Sequence, residues 1–251
     1  MRFVNDPNLP NNAEILLVGE KYTDILKGKL SEYGIELLAA PRNPDVDERL
    51  SSHADLSVLH AGGERILLAP YLKGSSFANT LKEFGIEAEY PEIVQRKEYP
   101  YDTQMNICVF GKYVICNSSF ENSPLVNCLT IGGRRKVLSS RQGYAKCSVC
   151  VVDENSIITS DAGISKVASS SGIDVLLIQP GYIELQGFGY GFIGGSAFKI
   201  SENMIAFTGI LDKHPDKRHI LDFIEKRGIE PVYLTELPIF DIGSAIPIIE
   251  K

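Results

Sequence analysis

His53 and Asp55 stand close together in the segment HADLSV, at the head of a predicted strand. A histidine near a carboxylate is a common general base, and His53 is the best candidate for that role among the four histidines of the chain. The same pattern also fits a turn at the protein surface, where His53 would have no chemical role. Asp55 is a candidate both for catalysis and for holding a positively charged ligand.

Cys147 is a candidate nucleophile because it follows Lys146, and a neighbouring positive charge favours the reactive thiolate. It forms a C-x-x-C pair with Cys150, but the segment CSVCVV is predicted as a strand, on which residues i and i+3 face opposite sides. Such a pair does not readily share a metal ion or a disulfide, and a zinc site would need a second pair. We therefore expect no metal site, and a buried structural role is the favoured interpretation of both cysteines.

Gly189–Gly194 matches the pattern G-x-G-x-x-G, which in dinucleotide-binding proteins follows a strand and opens a helix. Here a predicted strand, SAFKI, follows the glycines. The pattern therefore does not indicate a nucleotide site, and no cofactor is predicted.

The composition limits the classes of partner. The chain has 251 residues and a formal net charge of −7, which disfavours a nucleic-acid backbone as the main partner. No apolar run approaches the length of a membrane-spanning helix, so no membrane partner is expected. The odd number of cysteines, five, and a polar segment 1–12 without a secretory signal predict free thiols and a cytoplasmic location.

The elements that must position these residues follow a repeat. Five apolar strands that end in small or polar residues lie 43 to 51 residues apart and begin at Glu14, Arg65, Tyr113, Ser156 and Met204. Another predicted strand and a short turn precede the last four of them, which is the pattern of a β-hairpin. A predicted helix and a third strand follow each one. The sequence thus predicts an α/β protein built from ββαβ units.

The predicted helices end in a shared signature, Gly-Ile followed by Glu or Asp. It recurs at Gly34, Gly85, Gly172 and Gly228, where a glycine just past the helix is expected as its cap. The unit after Tyr113 departs from this pattern, with a short helix near Pro124–Leu129.

The two ends of the chain complement each other. The chain begins at the second strand of a unit, and Ser244–Ile249 is a first strand without a partner. Pairing of Ser244–Ile249 with Glu14–Gly19 would close a ring and leave no open edge. We therefore expect a closed, fivefold pseudo-symmetric propeller of ββαβ units, with residues 1–251 as a single domain.

Such a ring resembles the pentein superfamily, the guanidine-modifying-enzyme fold, over nearly the whole chain. The resemblance implies a pocket on the ring axis, a Cys nucleophile on the last strand, a His on the fourth unit and carboxylates that hold a guanidinium group. Here Ser244 is nearest to the nucleophile position, glycines stand where the His is expected, and Asp55 fits a carboxylate position. The chain is similar to an uncharacterised bacterial branch that lacks the usual Cys/His pair.

Residues at the heads of the first strands, together with one aromatic residue of the loop Gln179–Gly195, form a predicted ligand-binding set. Its members are Asp55, Asp102, Gln104, Asn106, Lys146, Tyr190, Ser196, Asp241 and Ser244. The carboxylates could hold a cation and Lys146 an anion, or the groups could satisfy one another at a crowded axis. The loop could cover the pocket, and its aromatic residues could stack on a planar ligand or pack on the ring.

Three functions remain open. The chain could bind a small polar ligand, guanidino or amino-acid-like, without standard deiminase catalysis. It could be a non-catalytic protein-interaction factor, as a ribosome-associated member of the superfamily is. It could also be a hydrolase or amidinotransferase-like enzyme acting on C–N bonds with a non-standard set, for which the candidates are His53, Asp55, Cys147 and Ser244.

Overall fold

The computed structural model describes residues 2–133 and 135–251. Its strands, numbered in chain order, are β1 (Arg2–Phe3), β2 (Ala13–Gly19), β3 (Glu36–Ala40), β4 (Val58–Gly62), β5 (Arg65–Leu68), β6 (Cys108–Phe110), β7 (Tyr113–Asn117), β8 (Lys136–Ser140), β9 (Val149–Asp153), β10 (Ser156–Thr159), β11 (Asp174–Leu177), β12 (Ala197–Ser201), β13 (Met204–Phe207), β14 (Glu230–Tyr233) and β15 (Ile246–Glu250). Its α-helices are α1 (Thr23–Glu32), α2 (Ser76–Glu83), α3 (Pro124–Leu129), α4 (Ala145–Ser148), α5 (Ala162–Ser169) and α6 (Lys217–Glu225).

The strands of the described residues pair into five small sheets, ordered β1-β15-β2-β3, β4-β5, β6-β7-β8, β11-β10-β9 and β12-β13-β14. In the three-stranded sheets the central strand is antiparallel to the strand before it and parallel to the strand after it. This is the predicted ββαβ order, because a parallel neighbour needs a crossover and the helix supplies it. The α/β class is confirmed, and the sheets do not join into a closed barrel.

The predicted helix ends are also confirmed. Gly34, Gly85, Gly172 and Gly228 have φ values of 70°, 80°, 85° and 69°, in the left-handed region that glycine adopts without strain. The unit that begins at Arg65 is incomplete, since its predicted third strand is reduced to one parallel bridge between Leu67 and Glu89. Pro91 follows two residues later and cannot donate to a ladder.

The two ends of the chain pair as expected. β15 is antiparallel to β2, with Ile246 opposite Leu17 and Glu250 opposite Ala13. β1 adds a short strand on the other side of β15, which the sequence did not indicate. The last strand is therefore enclosed between two segments from the beginning of the chain.

The apolar core consists of contacts between successive sheets. Residues of β2 and β15 pack on β4 and β5, which pack in turn on β6 and β7. The succession continues through β9 and β10 to β12 and β13. Finally, β12 and β13 pack on β2 and α1, so that Phe198 and Leu26 share one cluster. The heads of β4 and β9, which carry Asp55 and Cys147, are in contact. Within residues 2–133 and 135–251, no helix has both the length and the apolar character needed to cross a membrane.

Candidate functional site

Short helical turns precede several of the first strands and carry the polar residues of the site. Asp55 lies on the turn Ala54–Leu56 ahead of β4, and Cys147 lies on α4 ahead of β9. The prediction of a strand through Cys147 is wrong, since β9 begins only at Val149. The side-chain oxygen of Asn106 accepts hydrogen bonds from the backbone N–H groups of Lys146 and Cys147, at 2.8 and 3.1 Å, and thus holds the turn.

The thiol of Cys147 is in direct contact with Asp55. Its Sγ donates a hydrogen bond of 2.8 Å to Asp55 Oδ2, and Asn106 Nδ2 donates to the sulfur at 3.4 Å. All three residues are buried, each with 1% of its surface exposed. Cys147 therefore has a fixed proton acceptor and a donor that can stabilise a thiolate, although its neighbours come from different units of the repeat.

His53 lies beside this pair. One ring nitrogen of His53, one carboxylate oxygen of Asp55 and Sγ of Cys147 lie within 4.8 Å of one another. His53 Nδ1 is 3.9 Å from Asp241 Oδ1, and its ring meets the ring of Tyr22 edge-on. Neither His53 Nε2 nor Asp55 Oδ1 has a hydrogen-bond partner among the described residues, although both atoms are buried. Two polar atoms of the site are thus free to bind something else.

Asp241 is held by backbone groups. Its Oδ2 accepts from the N–H of Phe192 at 2.9 Å, and its Oδ1 accepts from the N–H of Gly243 at 2.8 Å. These bonds join the loop before β12 to the loop before β15, and they fix a carboxylate next to His53.

A cavity of about 260 Å³ opens beside these residues. Its polar lining residues are His53, Cys147, Asp241 and the partly polar Tyr144. Much of the remaining wall is formed by aromatic side chains of the loop Gln179–Gly195, namely Phe188, Tyr190 and Phe192.

The cavity continues into an outer groove of about 660 Å³, which shares Phe188 and Asp241 with it and adds Lys21 and Glu184. The volume and the few convergent polar groups are typical of a small-molecule site.

Burial controls the protonation of the central groups. It raises the pKa of Asp55 from 3.8 to about 7, against the lowering effects of Cys147 and Lys146. It also raises the pKa of the Cys147 thiol well above its ordinary value, with further contributions from the negative charges of Asp55 and Asp241. The pKa of His53 is lowered, again mainly by burial. The free site therefore holds a protonated thiol and a neutral imidazole near neutral pH.

Lys146 and Ser244 form a second buried pair. Lys146 Nζ donates a hydrogen bond of 2.6 Å to Ser244 Oγ. Ser244, the residue nearest to the nucleophile position of the superfamily, has φ = 66° and is fully buried. Lys146 and Asp55 also line a very small void of about 10 Å³, on the scale of a single water molecule. The Lys146–Ser244 contact thus uses the hydroxyl that the resemblance suggested as a nucleophile.

The other predicted ligand-binding residues differ in their surroundings. Tyr190 lines the cavity and is 44% exposed. Asp102 accepts a hydrogen bond from the hydroxyl of Tyr144. Gln104 Nε2 donates to the backbone oxygens of Val94 and Tyr101, outside the site.

Ser196 Oγ donates to the backbone oxygens of Phe192 and Ile193. The hydroxyl of Ser196 and the amide of Gln104 are therefore engaged by backbone carbonyl groups.

Arg49 is a contributor that the sequence analysis missed. Its Nη1 donates to Gly187 O at 2.8 Å, and its guanidinium carbon lies 4.2 Å from the centre of the Phe188 ring. Asp47 accepts two further hydrogen bonds from the guanidinium group. Arg49 thus fastens the aromatic loop over the cavity, and no local sequence pattern links it to a loop 138 residues away.

Chemically, the site combines a thiol, a proton acceptor and a neutral histidine beside an aromatic cavity. Such a set can attack an electrophilic carbon and move the protons that the attack requires. The group of His53, Asp55 and Cys147 also has the ligand types and spacing that could hold a metal ion.

Solved structures with the same fold include an amidinotransferase, an agmatine deiminase and DDAH. An inosamine-phosphate amidinotransferase from Streptomyces griseus matches with 12% identity and a TM-score of 0.62, over 99% of this chain and 97% of that chain. An agmatine deiminase from C. jejuni with bound substrate matches with 11% identity and a TM-score of 0.56, over 99% and 96%. DDAH from Pseudomonas aeruginosa in complex with citrulline matches with 11% identity and a TM-score of 0.52, over 88% and 92%.

At these identities the similarity shows the fold alone, and the expected resemblance to the pentein superfamily is confirmed at that level. Among curated proteins, none matches this chain in sequence. The signature of DUF6873, a family of unknown function, matches residues 17–246, and the chain belongs to that family.

Proposed function

We propose that this protein binds a small cationic guanidino or amidino compound in the 260 Å³ cavity and cleaves one of its C–N bonds, with Cys147 as the nucleophile. The observation that carries the proposal is the 2.8 Å hydrogen bond from Cys147 Sγ to Asp55 Oδ2, at the wall of a cavity suited to a small ligand. The nucleophile would then lie ahead of β9, not on the last strand where the resemblance placed it.

The charge of the site supports a cationic ligand. Asp241 lines the cavity and Asp55 is hydrogen-bonded to Cys147. Of the cations nearby, buried Lys146 donates its hydrogen bond to Ser244, and Arg49 is paired with Asp47. Aromatic faces attract a flat cation through their π-electrons, and Tyr190 and Phe192 provide such faces, whereas Arg49 already lies over Phe188.

The proposed reaction proceeds in two steps. The Cys147 thiol passes its proton to Asp55, and the sulfur attacks the central carbon of the guanidinium or amidinium group. An amine or ammonia then leaves with the proton that Asp55 returns. A guanidinium substrate thus gives an S-linked amidino intermediate, and an amidinium substrate gives an S-linked imidoyl intermediate. Water attacks the same carbon, the C–S bond breaks, and the oxygen remains on the product while the thiol is regenerated. His53, neutral in the free site, is placed to accept and return a proton in the second step.

Two broader predictions belong with this proposal. The five sheets form a closed, fivefold pseudo-symmetric propeller and a single domain, which the cyclic succession of sheet contacts supports. The heads of the first strands then face a common axis, and the candidate site lies on it.

Ligand binding without turnover is the second candidate function. It is favoured by the raised pKa of Cys147, since a protonated thiol is a poor nucleophile. A pure protein-interaction factor has less support, because a channel filled by mutually paired side chains would be expected there and a cavity of about 260 Å³ is found.

Calorimetry together with an assay for released ammonia or amine tests the proposal. The chain is titrated with agmatine, arginine, citrulline and methylguanidine, and each mixture is then assayed for product. We expect binding of at least one cationic compound, turnover by the wild type and no turnover by Cys147→Ser. Binding without turnover would select the second candidate, and no binding of any compound would contradict both.

A further inference from the structure

We propose that His53, Asp55 and Cys147 form a binding site for a divalent transition metal ion, Zn²⁺ above all. The ligand atoms of the three side chains lie within 4.8 Å of one another, so that small movements would bring them to the distances of zinc ligands. Metal binding by these residues goes beyond the proposed function, which concerns the turnover of a guanidino compound.

Two buried polar atoms that lack hydrogen-bond partners support a metal site independently of the spacing. His53 Nε2 and Asp55 Oδ1 are buried and have no hydrogen-bond partner among residues 2–133 and 135–251. His53 and Asp55 are 3% and 1% exposed. Leaving such atoms unpaired costs free energy, which a bound ion would offset by accepting a lone pair from each.

The identity of the ion follows from the donor types. A thiolate, an imidazole nitrogen and a carboxylate oxygen are all ligands that Zn²⁺ accepts in tetrahedral sites. Ca²⁺ and Mg²⁺ prefer oxygen ligands only, so a thiolate and an imidazole select against them. Because His53 and Cys147 line the cavity, the fourth position would face it and remain open to water or to a ligand.

The charge balance also favours a divalent ion. The fully ionised site has three negative charges, on Cys147, Asp55 and Asp241, which act on one another electrostatically. Lys146 is a positive charge that acts on Asp55, and Lys21 is one that acts on His53. A divalent ion bound by the three side chains would offset negative charge that these two lysines leave.

Direct metal titration tests the inference without any turnover assay. Metal-free protein is titrated with Co²⁺ while thiolate-to-metal charge-transfer absorption is recorded, and Zn²⁺ is titrated in competition with a chromogenic chelator. We expect one ion per chain and a charge-transfer band for the wild type. Absence of the band, or of one competing Zn²⁺ per chain, would overturn the inference.

Substitutions of single residues identify the side chains that bind the ion. Cys147→Ser should abolish the band, and both Cys147→Ser and Asp55→Asn should weaken Zn²⁺ binding by more than about 100-fold, beyond the effect of a residue that only orients a ligand. Cys150→Ser is the matched control for the neighbouring buried cysteine. His219→Gln controls for adventitious binding, because exposed His219 contacts Asp216 at the protein surface.

Both controls should keep the band and the affinity. Unchanged affinity in either ligand variant, with its circular dichroism spectrum intact, would contradict the site. So would loss of the ion in His219→Gln. Since the readout is metal binding alone, zinc binding with no guanidino turnover would leave the inference standing and reject only the proposed reaction.

Discussion

Gly195 lies so close to Asp241 that a β-carbon on it would stand 2.0 Å from Asp241 Oδ1. The backbone oxygen of Gly195 also accepts hydrogen bonds from the N–H groups of Ile242 and Ser244. The resemblance placed a catalytic histidine near this position. Gly195 instead leaves room for the loop that carries Asp241, so that the two loops pack closely.

This contact predicts the effect of a single methyl group. Gly195→Ala should lower the free energy of unfolding by about 1–3 kcal/mol, in the range of an overpacked core, and should displace the Asp241 carboxylate. Urea unfolding and ligand titration measure the two effects. Gly189→Ala is the matched control for the unfolding measurement, since a β-carbon there meets nothing within 4 Å. Equal stability of the two variants would show that the Gly195 contact is not tight.

Asp55 should make stability depend on pH. Its pKa is about 7 in the folded protein against an ordinary value of 3.8, so the folded state binds its proton more tightly than the unfolded state. The stabilising contribution is complete below pH 3.8 and is lost as pH rises through 7. At 1.36 kcal/mol per pKa unit, the loss amounts to about 4 kcal/mol.

Asp55→Asn removes this titration, and the difference between the two proteins isolates it from other groups. We expect the variant to gain stability relative to the wild type as pH rises from about 4 to 7, measured by urea unfolding at each pH. A difference that stays constant across this range would mean that Asp55 ionises normally in the folded protein.

Arg49 should control ligand affinity through the loop. Arg49→Met removes the hydrogen bond to Gly187 O and the cation–π contact with Phe188, but keeps an apolar stem. Both contacts hold the loop against the cavity, so we expect roughly tenfold weaker binding of a cavity ligand. Hydrogen exchange of segment 185–192 should become faster.

Arg218→Met serves as the comparison. Arg218 is strongly exposed and pairs with Asp222 one helical turn away. Its replacement should leave both affinity and exchange unchanged. If Arg49→Met behaved in the same way, the loop would be held by its own packing and not by Arg49.

Local patterns predicted much of the fold. The Gly-Ile-Glu signature located the helix ends, because a residue with positive φ favours glycine, and four such glycines have that conformation. The pairing of Ser244–Ile249 with Glu14–Gly19 followed from unpaired strands at both ends and agrees with the pairing of β15 and β2. The predicted third strand of the unit that begins at Arg65 is reduced to a single bridge. An apolar run does not reveal which backbone groups form hydrogen bonds with a neighbouring strand.

The site was only partly predictable. His53, Asp55 and Lys146 were recognised from their positions at strand heads, whereas a buried structural role was favoured for Cys147. That preference assumed a strand through Cys147, and the helical turn α4 instead directs its thiol to Asp55, 92 residues earlier in the chain. The sequence did contain one indication that Cys147 belongs to the site. It directly follows Lys146 at the head of a predicted first strand.

The central claim is that Cys147 is a nucleophile next to a cation-binding cavity. Its most direct test compares the alkylation rates of 2-chloroacetamidine, which is cationic, and 2-chloroacetamide, its neutral analogue, with peptide mass spectrometry to locate the adducts. We expect the amidine to label Cys147 at least about tenfold faster than the amide does, because Asp55 and Asp241 attract its charge, with no such preference at Cys128. Equal rates at Cys147, or labelling confined to Cys128, would contradict the account.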